Sequence, residues 1–114
     1  MLVNTGRTTC TLQGWPGVSL IDAHGRQLGA SARLDRTGTH PTVTLRPHRA
    51  AHAHLHYSEA RAYPERTCHP VHGHTRLRIY PPGSRTAITI PAGFDACRNP
   101  NLHLLRVQAL HPKY

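Results

Sequence analysis

Proline and glycine interrupt this chain so often that long helices are excluded at the outset. Ten prolines and nine glycines are spread through 114 residues, and each restricts or frees a backbone torsion in a way that breaks regular helix. The clearest turn signals are Asn4-Thr5-Gly6, Gly14-Trp15-Pro16-Gly17, His24-Gly25, Arg46-Pro47-His48 and Pro81-Pro82-Gly83-Ser84. They recur about every eight to twelve residues, the spacing of a β-sandwich or barrel. Between them lie runs rich in β-branched residues: Thr8–Leu12, Val18–Ile21, Thr42–Leu45, Ala50–Tyr57, Leu77–Tyr80, Thr86–Ile90 and Leu102–Leu110. Several alternate with period two, the signature of a half-buried strand. Ala51, Ala53, Leu55 and Tyr57 share one face, with His52, His54 and His56 on the other. Ile88 and Ile90 share a face, as do Leu105, Val107 and Ala109. Helix is limited to a turn within Ser58–Arg66. The pattern predicts one all-β domain over residues 1–114, an immunoglobulin-like antiparallel β-sandwich of about six to eight short strands.

The core of such a domain is lean. Apolar residues make up about 42% of the chain when Gly is counted and Tyr is not, against ~45–50% in ordinary globular domains. A covalent brace is therefore expected, and Cys10, Cys68 and Cys97 are the candidates. No C-x-x-C pair marks a zinc site. Widely spaced cysteines in a small domain point to disulfides, and an odd count leaves one over. No run approaches the ~20 apolar residues of a membrane helix. Met1-Leu2-Val3 leads straight into Asn4-Thr5-Gly6, so no export signal is visible.

Charge is the most unusual property. Fourteen basic residues stand against Asp22, Asp35, Glu59, Glu65 and Asp95, for a net +9. All but Lys113 of the basic residues are arginine, which pairs in two-pronged fashion with phosphate. A polyanion partner, nucleic acid or acidic polysaccharide, is one implication. A GC-rich genome writing arginine onto tolerant surface is the other, and no block of consecutive cations marks a nucleic-acid arm. Protonating the eleven histidines would add eleven charges to the +9, for a total of +20. Binding to anionic surfaces should then strengthen as pH falls, and metal binding through imidazole should weaken.

From Asn4-Thr5-Gly6 through Cys10-Thr11-Leu12-Gln13-Gly14-Trp15-Pro16-Gly17-Val18-Ser19-Leu20, the chain resembles an actinobacterial family of secreted proteins and lipoproteins. That family is catalogued as a domain of unknown function, number forty-two thirty-two. The likeness continues at Asp22, Gly25, Leu28-Gly29, Val43-Thr44-Leu45-Arg46-Pro47, Ala51-His52-Ala53, Cys68, Leu77-Arg78-Ile79-Tyr80-Pro81-Pro82-Gly83 and Cys97. The resemblance implies an immunoglobulin-like sandwich that is secreted or attached to the cell envelope, and it implies no activity. Family members carry a further strand with its own cysteine before the Asn-Thr-Gly turn. Set against that pattern, Cys10 lacks its partner and Cys68 pairs with Cys97. The missing strand also implies that Leu2–Asn4 forms an unpaired backbone row, an edge that invites self-association. Histidines at His24-Gly25 and Pro47-His48 replace residues usual in the family and raise basicity at two loop tips.

No enzyme signature is present. There is no G-x-S-x-G, H-E-x-x-H, phosphate-binding glycine loop or short-spaced carboxylate pair. A Cys10–His nucleophile pair lacks the local signatures of cysteine hydrolases. His52, His54 and His56 alternate at ~6.6 Å, so two of them, with His72 or His74, could ligate Zn, Cu or Ni. Few carboxylates are available to support such ligands from behind. Trp15 sits at a loop tip where it could stack on a ligand or fold back onto the domain edge. With so few aromatics, the stacking platform of single-strand binders is missing. The residues thus favour a non-enzymatic binding module with no cofactor and an unknown ligand. A polyanion binder and a divalent-metal binder are the alternatives.

Overall fold

The computed structural model describes residues 1–112. Its strands are β1 (Leu2–Val3), β2 (Cys10–Leu12), β3 (Gly17–Ile21), β4 (Gln27–Leu28), β5 (Arg33–Asp35), β6 (Val43–Leu45) and β7 (Ala50–Ala51). They continue as β8 (Leu55–Tyr57), β9 (Pro70–Val71), β10 (Arg76–Tyr80), β11 (Ile88–Pro91), β12 (Ala96–Cys97) and β13 (Leu105–Gln108). A 3-10 turn at Ala60–Ala62 falls within Ser58–Arg66, where the sequence allows a helical turn, and a single-turn helix α1 (Glu65–Cys68) begins there and runs two residues beyond it.

Two sheets make the body of the domain. One has the order β11-β10-β3-β4 and the other β5-β13-β8. Period-two alternation decides what each buries. Val18, Leu20, Leu28 and Leu77 from the first sheet meet Leu105 and Val107 from the second in one apolar cluster. Val43, Leu45, Ala51 and Leu110 form a second cluster, closed by the β2-β6 and β1-β7 pairs. The third surrounds the bond between Cys68 and Cys97, packed with Ala60 and Leu104. The fold is all-β and sandwich-like.

Three details depart from expectation. There are thirteen strands among the described residues instead of six to eight, because turns cut the sheets into pieces of two to five residues. β5 runs parallel to β13, with Arg33 opposite Arg106, so the pairing is not wholly antiparallel. The Ala50–Tyr57 run splits between sheets: β7 pairs with β1, and β8 pairs with β13. Between them His52 forms an isolated bridge with His111.

The edge expected at Leu2–Asn4 is paired on one of its two sides. Leu2 and Val3 pair with Ala51 and Ala50, and the Asn4 N–H donates to the Arg49 carbonyl at 2.9 Å. One side of the strand is therefore bonded within the chain, and β1 remains an outer strand of its two-stranded sheet. Exposed apolar side chains lie on three edge strands: Val3 on β1, Leu34 on β5, and Ile88 and Ile90 on β11, the last two 44% and 41% exposed.

Local chemistry fixes the tight turns. In the β3–β4 hairpin, Asp22 Oδ1 accepts the N–H groups of His24 and Arg26 at 2.8 and 2.9 Å. The Arg26 N–H foremost holds the Asp22 carboxyl below its ordinary pKa. Gly29, at φ +72°, lies against the loop after the disulfide; a Cβ there would stand 3.0 Å from the Leu102 carbonyl oxygen and 3.4 Å from that of Cys97. Gly29→Ala is expected to cost about 1–3 kcal/mol from the left-handed backbone alone, and more from the two carbonyls. Gly25→Ala is the control, since Gly25 also has positive φ but faces open space. Urea denaturation should show the Gly29 variant the weaker of the two, and equal losses would remove the role of the carbonyls.

Candidate functional site

The outer face of the β5-β13-β8 sheet gathers residues that are distant in sequence. Along β13, Leu105 and Val107 are buried while Arg106 and Gln108 point to solvent. The register places Arg106 opposite Arg33 on β5 and opposite His56 on β8. Neighbouring strands lie about 4.8 Å apart, so Arg33, Arg106 and His56 form a row across the whole sheet. Like charges placed opposite one another destabilise a sheet. An anion seated on the row would offset that repulsion.

A cleft of about 390 Å³ opens on this row, lined by Arg33, Arg106, His56 and His103 together with Ser58 and Tyr63. No carboxylate lines it. The acidic residues are engaged elsewhere. Glu59 pairs with Arg61 at 2.7 Å, Asp95 with His72 at 3.2 Å and Asp22 with Arg98 at 3.8 Å, while Glu65 opens α1. Among the described residues, no carboxylate lies within ion-pair distance of Arg33, Arg106 or His56.

Asp35 occupies the next row along, opposite Gln108. Its Oδ1 accepts the hydroxyl and N–H of Thr37 at 2.6 and 3.0 Å. The Thr37 hydroxyl foremost, with Gln108 and the charge of Arg106, holds its carboxyl below the ordinary range. A second hollow of about 330 Å³, lined by Asp35, His54 and Gln108, shares His56 and Arg106 with the first. Arg106 thus divides a hollow with a carboxylate from a cleft without one.

A family model described as a domain of unknown function (DUF4232) matches residues 1–111. The chain belongs to the DUF4232 family. No curated protein and no solved structure matches it. For this DUF4232 domain, function must therefore be read from its own surface.

The residues singled out in the sequence fall as follows. Cys68 and Cys97 are joined, with a Cα–Cα distance of 4.6 Å, and Cys10 on β2 is an exposed thiol. His54 and His56 both line the hollow beside Asp35, and His52 lies apart from it. His52 belongs to the His111 bridge, and His56 stands beside Arg106. Among the described residues, no three His, Cys, Asp or Glu side chains are grouped to hold a metal. Trp15 folds back on the domain. Its indole N–H donates to the Asp35 carbonyl at 2.9 Å, and the Arg36 guanidinium lies 5.0 Å from its ring centre. Sequence reasoning missed Arg33, Arg106 and His103, since each stands alone in the chain and only the register gathers them.

Proposed function

We propose that this domain is a non-enzymatic, extracytoplasmic binding module that takes an anionic partner on the outer face of the β5-β13-β8 sheet. One observation carries the reading: Arg33, Arg106 and His56 share a cross-strand row that opens on a cleft without a carboxylate. Arginine supplies five N–H donors in a planar fork matched to phosphate and carboxylate oxygens. The cysteines support the compartment, because a buried disulfide persists in oxidising surroundings and Cys68 and Cys97 form one. None of the helices of the described residues is long and apolar enough to cross a membrane.

The test separates a site from diffuse charge. Binding to soluble heparin, a polyanion probe, is measured for the wild type, Arg106→Glu and Arg85→Glu. Arg85 lies in the exposed turn between β10 and β11, so the two variants lose the same charge. Arg106→Glu is expected to weaken binding at least ten-fold, and Arg85→Glu less than three-fold. Equal losses would show attraction to net charge alone and overturn the proposal.

A further inference from the structure

We infer that the cleft takes a single compact oxyanion, the phosphate or sulfate group of a monoester or the free ion, and not a run of charges along a polymer. This inference rests on the anion-binding reading above. Its support is the shape of the positive field.

The cationic row runs across the strands and is short. β5 and β8 are the two edges of a three-stranded sheet, so the row ends with Arg33 on one side and His56 on the other. Along the strands it is bounded on the Gln108 side. Asp35 lies two residues from Arg33 on the same face, in the second hollow beside Arg106. Successive same-face residues are ~6.6 Å apart. A polymer laid along β5 would thus bring its next negative group onto a carboxylate. A polymer laid across the sheet would run off both edges.

The remaining lining suits one tetrahedral group. Ser58 and Tyr63 offer hydroxyls and Asn101 an amide, while His103 turns its Nδ1 to the Ser31 carbonyl at 3.3 Å. The two guanidinium forks and these neutral donors can surround an anion whose oxygens point in several directions. A planar carboxylate, with two oxygens, would leave part of that donor set unused.

Isothermal titration at constant ionic strength tests the inference, with inorganic phosphate, inorganic sulfate, glucose 6-phosphate, acetate and heparin as probes. Phosphate or glucose 6-phosphate should bind one to one and saturate, at least ten-fold more tightly than acetate. Tighter binding of glucose 6-phosphate than of phosphate would identify an ester as the source, and equal binding the free group. Arg106→Gln should weaken phosphate binding at least ten-fold. Arg33→Lys, which keeps the charge but loses the fork, should weaken it about three-fold or more. The second variant also guards against misfolding of the first. Heparin, engaging the same row, should show a log–log salt slope corresponding to about two or three neutralised charges. A slope of six or more with no saturable phosphate binding would overturn the inference while leaving the anion-binding module standing. Failure of heparin and phosphate alike would overturn both.

Discussion

Replacing both Cys68 and Cys97 by alanine is expected to lower the free energy of unfolding by about 3–4 kcal/mol. The bond joins residues 29 positions apart. In the chain-entropy model, a closed loop of about 30 residues removes ~3.6 kcal/mol of disorder from the unfolded state. Both sulfurs are buried, and Leu104 and Ala60 pack around them, so the lost packing adds to the lost cross-link. A domain of this size has roughly 5–15 kcal/mol in total, and its apolar complement is lean. Urea denaturation at equilibrium measures the effect directly. The wild type under reducing conditions keeps the sulfur atoms and should lose nearly as much, which separates cross-link from packing. A loss below about 1 kcal/mol in both experiments would remove the bond as the brace of the fold.

Leu20→Ala should cost about 2–5 kcal/mol, the range for deleting a large aliphatic side chain from a packed core. Leu20 is 1% exposed at the middle of the larger sheet. Leu77 stands opposite it on β10 and Leu28 opposite it on β4, and Leu105 and Val107 belong to the same cluster. A cavity opened there is walled by backbone on two sides and by another sheet above, so collapse around it is restricted. Ile88→Ala on the exposed edge strand removes a similar volume and should cost less than about 1 kcal/mol. Thermal or urea unfolding of the pair checks the contrast. Similar losses would contradict the placement of the core between the two sheets.

Val107 is legible as a core position in the sequence because its run alternates, whereas β3, which holds Leu20, is buried at four successive positions and shows no period. β1, β4, β5, β9 and β12 have two or three residues each, too few for a period to appear. The Ala50–Tyr57 run alternates throughout, yet pattern alone cannot reveal that its halves bond to different partners. The candidate site is legible in one residue only. His56 stands out as part of a histidine series, whereas its cross-strand neighbour is Arg106. Arg33 and Arg106 read as scattered cations, because a parallel pairing between distant segments leaves no local trace. Trp15 is visible as a loop-tip aromatic, but its hydrogen bond to the Asp35 carbonyl depends on where β5 ends.

The position of β13 bears on how the chain comes into being. As the last strand it lies between β5 and β8, bonded to both, and Leu105, Val107 and Leu110 complete two of the three apolar clusters. β5 and β8 therefore have no sheet partner until β13, which follows β8 by almost fifty residues, is available. Folding that waits on such remote pairings is slow.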